Sequence, residues 1–111
     1  MSRIAVDFDN TLTSGEGSKY WVDPYDMHPN EEMIDIVRQL YYDGHTVIVY
    51  TARGEDARCE TQHFLDKWDV THHALRMGKL GYDVFVDDRT VNPELCNYPK
   101  NTINHVLGVE Q

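Results

Sequence analysis

The sequence is short of cysteine, of basic residues and of long apolar runs. Its 111 residues include two cysteines, and ten Lys or Arg stand against nineteen Asp or Glu. Two isolated thiols, Cys59 and Cys96, favour free cysteines over a disulfide framework. No run of about 18 apolar residues occurs, and the first residues lack the apolar stretch of a signal peptide. We therefore expect a cytoplasmic protein that has no membrane partner.

The acidic excess bears on the choice of partner. A formal net charge of −9 disfavours nonspecific binding to a nucleic-acid backbone or an anionic membrane, although it leaves room for a local basic pocket. A chain of this length has room for one modest core. We expect residues 1–111 to form a single domain, with the irregular, glycine-containing and serine-containing stretch 13–29 as a flap.

Apolar runs alternate with amphipathic stretches, which is typical of β-α-β units and predicts an α/β fold with a mainly parallel sheet. A helix is expected to begin after Asn30, a good N-cap, and to end near Gly44. A second helix is expected over 55–68. The β-branched run 46–50 predicts a strand that is covered on both faces. The predicted strands are 3–8, 46–50, 72–77 and 82–86.

The most informative motif is D-F-D-N-T-L at 7–12, directly after the first predicted strand. Residues two apart on an extended strand point the same way, so Asp7 and Asp9 are expected to face one centre at the carboxyl end of the sheet. Two neighbouring carboxylates repel unless a cation lies between them or one is protonated. An all-oxygen cluster suits Mg²⁺. The alternative is an Asp-rich turn whose side chains cap backbone amides.

Further polar side chains follow or precede the other predicted strands. Thr51 and Arg53 follow the second strand, Lys79 precedes the last, and Asp87 and Asp88 follow it. Phosphoryl transfer needs a nucleophile, an acid or base, phosphate-binding donors and charge neutralisation, and this set supplies each of them. Taken alone, Thr51 could cap the next helix, Lys79 could be a solvated lysine, and Asp87-Asp88 could be a turn pair.

The ordered set resembles the signature motifs of the haloacid dehalogenase-like (HAD) superfamily of phosphohydrolases. The matching residues are D-F-D-N-T-L, Thr51 at the end of V-I-V-Y-T, Lys79, and Asp87-Asp88 after V-F-V. The resemblance implies a Rossmann-like three-layer α/β/α fold. The gaps between the motifs are too short for a cap domain. Asn10 departs from the family, whose members often carry Gly there, but Asn tolerates a left-handed turn.

The resemblance also implies roles for the acids. Asp7 would attack phosphorus to give an aspartyl-phosphate, and Asp9 would act as general acid and then as general base. Mg²⁺ would be bound by the Asp7 side chain, the Asp9 main-chain carbonyl, and one or both of Asp87 and Asp88. Thr11 is expected to orient the loop that carries both acids.

The remaining roles concern the phosphate. Thr51 would donate to a phosphoryl oxygen, and Lys79 would hold the phosphate as a point charge. Arg53 could add a bidentate contact to the same group.

These assignments predict a Mg²⁺-dependent phosphatase that hydrolyses a phosphate monoester: a sugar phosphate, a nucleotide or a polymer end. T-A-R-G followed by V-D-D-R is also similar to the 3′-phosphatase domain of phage polynucleotide kinase, so a polynucleotide 3′-phosphatase or nucleotidase is one alternative. A non-catalytic binding module on the same fold is another. An uncapped site is expected to be open or closed by a neighbouring subunit, which would make the protein a homo-oligomer. Flap aromatics at 20, 21 and 25 could stack on a base or sugar ring.

Overall fold

The computed structural model describes residues 1–14, 27–93 and 99–108. The chain divides into two compact units, Met1–Leu80 and Gly81–Gln111. The expectation of one domain over 1–111 stays a prediction. The described strands and helices are, in chain order, β1 (Arg3–Val6), β2 (Thr13–Ser14), β3 (His28–Pro29), α1 (Glu31–Tyr42), β4 (Thr46–Tyr50), α2 (Arg58–Lys67), β5 (Ala74–Arg76) and α3 (Pro99–Leu107).

A three-stranded parallel sheet forms the centre of the first unit. Its strand order is β1-β4-β5, and Ile48 of β4 pairs with Ala5 on one side and Ala74 on the other. The predicted α/β fold with a parallel sheet is confirmed for the described residues. The three-layer arrangement implied by the resemblance stays a prediction.

Strand β4 lies between its two neighbours, and one of its faces is completely buried. Val47 and Val49 have no exposed surface, whereas Thr46 and Tyr50 on the other face are exposed and Ile48 is half-buried. The expectation that both faces are covered was therefore wrong. A continuous run of β-branched residues indicates a preference for the extended backbone. Such a run does not distinguish a strand covered on one face from a strand covered on both.

Helix α1 begins where the sequence predicts. The Asn30 side chain accepts a hydrogen bond from the Met33 backbone N–H at 3.2 Å, which satisfies one of the donors that a helix start leaves open. The apolar residues recur with helical spacing, so one stripe of the helix is buried. The buried residues are Met33, Ile34, Val37 and Leu40.

The second predicted helix is also present, although its first turn is tighter. Residues Glu55–Ala57 form a 3₁₀ turn that leads into α2. Phe64 and Leu65 are buried, and Trp68 at the end of α2 stacks on Phe8, with ring centroids 6.2 Å apart. This packing places α2 beside the residues that follow β1.

The expected strand over 82–86 is wrong. In the described part of the second unit, this segment has no regular structure, and Val84 and Val86 are 76% and 90% exposed. An apolar run becomes a strand only when a neighbouring strand accepts its backbone hydrogen bonds, and no described strand pairs with it. The tail holds a nine-residue helix, α3. None of the described helices has the length and apolar character needed to cross a membrane.

Candidate active site

The loop that carries Asp7 and Asp9 turns sharply once β1 ends at Val6. Its anchor is Phe8, which has no exposed surface. The Phe8 carbonyl accepts three backbone N–H groups at 2.9–3.3 Å, those of Thr11, Leu12 and Thr13. The buried Phe8 side chain and the three hydrogen bonds to the Phe8 carbonyl fix the conformation of the turn. Asp7 and Asp9 therefore project from a well-defined loop.

Asn10 and Thr13 complete this turn. Asn10 has φ 62°, which lies in the left-handed region that Asn tolerates. Its backbone N–H donates to Thr13 Oγ1 at 2.9 Å, and Thr13 is buried. Thr11 was expected to orient this loop, but the hydrogen bond that orients it is made by Thr13.

Asp7 lies one residue beyond β1 and is 38% exposed at its side chain. Its Oδ1 accepts the Phe8 backbone N–H at 2.9 Å and lies 3.3 Å from Lys79 Nζ. Burial raises the pKa of the Asp7 carboxyl above its usual value. Lys79 and the Phe8 N–H act in the opposite direction, and the charge of Asp9 adds to the rise. The unfavourable effect of burying the Asp7 carboxylate is thus only partly offset by Lys79 and the Phe8 N–H.

Lys79 reaches Asp7 because the loop after β5 is hydrogen-bonded to the loop after β4. The Lys79 backbone N–H donates to the Thr51 carbonyl at 2.9 Å, and the Gly78 N–H donates to the Arg53 carbonyl at 2.8 Å. Gly78 has φ 80°, a left-handed conformation that glycine adopts at no steric cost. The two loops therefore form one side of the site.

Thr51 is fully buried where β4 ends. Its Oγ1 accepts the Arg53 backbone N–H at 3.2 Å, so it stabilises the turn T-A-R. The alternative that it caps the next helix is not seen, since Gly54 begins the 3₁₀ turn without a side-chain cap. A hydroxyl that accepts one hydrogen bond still has its own proton to donate. The predicted contact of Thr51 with a phosphoryl oxygen stays a prediction.

Arg53 is 1% exposed and holds both oxygens of Asp9. Its Nε donates to Asp9 Oδ2 at 3.0 Å and its Nη2 to Oδ1 at 2.8 Å, while Nη1 donates to Glu60 Oε1 at 3.2 Å. Burial would lower the pKa of this guanidinium, but Asp9 and Glu60 together hold it above its usual value. Glu60 was not predicted as a site residue, because a pairing between a loop and a helix leaves no local pattern in the sequence.

The flap predicted over 13–29 is described at its base. Strands β2 and β3 pair there in antiparallel register, with Thr13 opposite Pro29 and Ser14 opposite His28. The Ser14 hydroxyl donates to the Pro29 carbonyl at 3.2 Å. The base of the flap is therefore attached directly to the loop that carries the acids. Its aromatic residues Tyr20, Trp21 and Tyr25 lie outside the described residues.

The first unit thus brings five of the seven predicted site residues together: Asp7, Asp9, Thr51, Arg53 and Lys79. Asp87 and Asp88 belong to the second unit, where both are exposed. Within 1–14, 27–93 and 99–108, no group of three or more His, Cys, Asp or Glu residues could hold a metal ion. The metal-binding roles of Asp7, Asp9, Asp87 and Asp88 stay predictions.

The arrangement separates the two acids chemically. Asp7 is incompletely compensated beside a lysine, whereas Asp9 is fixed by a buried guanidinium. A nucleophile and an acid or base in one site need different surroundings to do different work. The site can therefore combine a carboxylate nucleophile with an oriented proton-transfer group and a cationic side chain.

Solved structures share this fold. A structural-genomics target from Vibrio cholerae matches with a TM-score of 0.71 and 23% identity, over 97% of this chain and 98% of that one. No protein-family profile matches the chain, and no curated protein matches its sequence. A likeness at this identity establishes the fold and leaves the activity open.

Two structures of the Pnkp1/Rnl/Hen1 complex, one of them described as an RNA repair complex, also match. Their TM-scores are 0.60 and 0.62, at 22% and 21% identity. The matches cover 68% and 78% of this chain. This chain spans only a quarter to a third of those proteins, 25% and 31% of their lengths, so the likeness concerns one part of each.

We predict that Asp7→Asn raises thermal stability at neutral pH. The folded protein holds the Asp7 proton more tightly than the unfolded chain does, because its folded pKa is raised. The carboxylate therefore costs stability above the folded pKa, and the cost vanishes below the unfolded pKa, about 3.9. Unfolding midpoints measured from pH 4 to 8 should show a gain for the variant that grows with pH.

Asp56→Asn is the matched control, because Asp56 is exposed in the 3₁₀ turn, and it should show no such gain. A variant Asp7→Asn less stable than the wild type at pH 8 would mean that pairing with Lys79 outweighs the burial of Asp7.

Proposed function

We propose that this protein is a HAD-like phosphatase that hydrolyses a phosphate monoester through an aspartyl-phosphate on Asp7. The observation that carries the proposal is the meeting of Asp7, Lys79 and the Thr51 turn beside the Arg53–Asp9 ion pair. Each group follows the carboxyl end of a parallel strand, the edge where α/β folds bind ligands. The V. cholerae structure supports the fold over almost the whole chain.

The proposed first step is attack by Asp7 on phosphorus. Among the described residues, both hydrogen-bonding contacts of Asp7 are made at Oδ1, so Oδ2 is the better-placed oxygen for the attack. The bond from phosphorus to the leaving oxygen breaks as the bond to Asp7 forms. Asp9 gives its proton to the leaving oxygen, which departs as an alcohol.

The second step regenerates the enzyme. A water molecule attacks the phosphorus of the aspartyl-phosphate, and Asp9 takes up a proton from that water. The bond from phosphorus to Asp7 breaks, and inorganic phosphate leaves. Lys79 and the Thr51 hydroxyl hold the phosphoryl oxygens in both steps, so the negative charge that they carry is stabilised by fixed donors.

Mg²⁺ is the proposed cofactor. The residues present fit it in one respect, because burial leaves the Asp7 carboxylate incompletely compensated and a hard cation binds such an oxygen. Asp7, the Asp9 main-chain carbonyl, and one or both of Asp87 and Asp88 would hold it. When bound, it would neutralise charge between Asp7 and the phosphoryl group. The proposed role of Asp87 and Asp88 as metal ligands rests on their position in the sequence motif.

A polynucleotide 3′-phosphatase is the second candidate. The likeness to the Pnkp1/Rnl/Hen1 RNA repair complex favours it, as does the T-A-R-G sequence whose arginine holds Asp9. The net charge of −9 weighs against a long nucleic-acid footprint, but it does not exclude the end of a strand. A site without a cap domain would admit such a substrate.

The direct test is phosphate release from a panel of esters, with Mg²⁺ and with a chelator. The panel contains sugar phosphates, nucleotides, oligonucleotides phosphorylated at either end, and an aryl phosphate. We expect release that stops in the presence of chelator. Preference for 3′-phosphorylated oligonucleotides would select the second candidate. Absence of release from every ester would contradict the phosphatase proposal and favour the binding module.

Substitutions of the two acids should then have different effects. Asp7→Asn is expected to abolish turnover, because an amide is not a nucleophile. Asp9→Asn is expected to lower turnover by about 10²–10⁴-fold, the usual contribution of general acid-base catalysis. Mg²⁺ affinity, measured by titration calorimetry, should fall for Asp7→Asn and change little for Asp9→Asn.

Asp56→Asn, at an exposed residue of the 3₁₀ turn that is not one of the proposed site residues, should match the wild type in both measurements. Near wild-type turnover by Asp7→Asn would remove Asp7 from the nucleophile role. Loss of Mg²⁺ affinity in Asp9→Asn would instead make the Asp9 side chain a metal ligand.

A further inference from the structure

The Arg53 side chain occupies an unusual position for a cation. It is 1% exposed, and its guanidinium carbon lies 5.1 Å from the centre of the Phe8 ring. Nη2 also contacts Met27 Sδ at 3.7 Å. A buried guanidinium must be paired, because an isolated charge in the interior is costly. Two carboxylates meet this requirement, those of Asp9 and Glu60.

The contact with Asp9 restricts the orientation of that carboxylate. Nε and Nη2 bind the two oxygens separately, at 3.0 and 2.8 Å, so the planar fork of the guanidinium sets the plane of the carboxyl group. Each carboxylate oxygen has two lone pairs, and the fork uses one on each. A site for a proton therefore remains on Asp9, in a direction that Arg53 determines.

Glu60 is the second carboxylate that pairs with the Arg53 guanidinium. It lies in the first turn of α2 and binds Nη1 at 3.2 Å, so the guanidinium has carboxylates at two of its edges. Glu60 is 42% exposed at its side chain. It is therefore the outer member of a chain of three residues that begins at the surface and ends at Asp9.

We propose that Arg53 and Glu60 are positioning residues for proton transfer: Glu60 orients Arg53, and Arg53 orients Asp9 toward the leaving oxygen. This inference rests on the proposed phosphatase function. It assigns to Arg53 an action through Asp9 in place of the direct contact with phosphate that the sequence suggested. The covalent step is unchanged: the proton moves from Asp9 to the leaving oxygen as the phosphorus–oxygen bond breaks.

The two roles of Arg53 differ in their dependence on the leaving group. A phosphate contact acts on the phosphoryl group, which every monoester shares. Protonation by Asp9 matters for an alkyl ester, whose alkoxide is a poor leaving group, and matters little for a dinitrophenyl ester. The comparison should use kcat/KM, because this quantity reports the steps from free substrate to the transition state in which the ester bond breaks.

The experiment measures kcat/KM of the wild type, Arg53→Lys and Glu60→Gln on glycerol phosphate and on 2,4-dinitrophenyl phosphate. Arg53→Lys keeps the charge and removes the fork. We expect it to lose about 100-fold or more on the alkyl ester and less than about 10-fold on the aryl ester. Glu60→Gln should show a smaller loss with the same asymmetry.

Glu55→Gln is the matched control. Glu55 binds Arg58 with two hydrogen bonds, at 2.7 and 2.9 Å, in the same segment of the chain, but that pair is exposed and has no contact with Asp9. The variant Glu55→Gln should therefore leave kcat/KM unchanged on both esters. Thermal unfolding of each variant verifies that it is folded. If Arg53→Lys does not fold, Glu60→Gln carries the test, since Glu60 is partly exposed.

The outcomes separate the two proposals. If the wild type is active and the variants lose kcat/KM equally on both esters, or lose none, the positioning roles are overturned. The phosphatase proposal is unaffected by that result. Equal losses for Arg53→Lys would return Arg53 to phosphate binding. No release of phosphate from either ester by the wild type would overturn the proposed function and, with it, the positioning roles.

Discussion

The buried guanidinium of Arg53 is the interaction on which the rest of the site depends. A charge that is 1% exposed is tolerated only with partners close by, and removal of one partner of a buried ion pair typically costs about 3–5 kcal/mol. Its partners come from two places in the chain: Asp9 from the loop after β1 and Glu60 from α2. The loop after β4, which carries Arg53, is thereby held against both.

This constraint also explains why two neighbouring carboxylates have different surroundings. Asp9 is held at both carboxylate oxygens by Arg53. Asp7 is left to face Lys79, in a partly buried position where the pKa of its carboxyl is raised. Two acids two residues apart thus acquire separate partners through the fold. The proposed chemistry requires that separation, since one acid forms a bond to phosphorus and the other moves a proton.

Local patterns in the sequence were enough to predict the segments that form β1, β4 and β5 and the cap of α1. Each of these depends on residues within a few positions of one another. Glu60 could not be predicted, because its pairing with Arg53 joins a loop and a helix. The strand expected over 82–86 failed for a related reason: a strand needs a partner, and sequence alone does not supply one.

In the proposed mechanism Asp7, and not Asp9, carries the phosphoryl group. This assignment is tested most directly by mixing the enzyme with a reactive aryl phosphate, quenching in acid within one turnover and reducing with borohydride. Reduction converts an aspartyl-phosphate to homoserine, which mass spectrometry of peptides locates. We predict homoserine at position 7. Homoserine at position 9, or phosphate release with neither residue modified during turnover, would contradict the account.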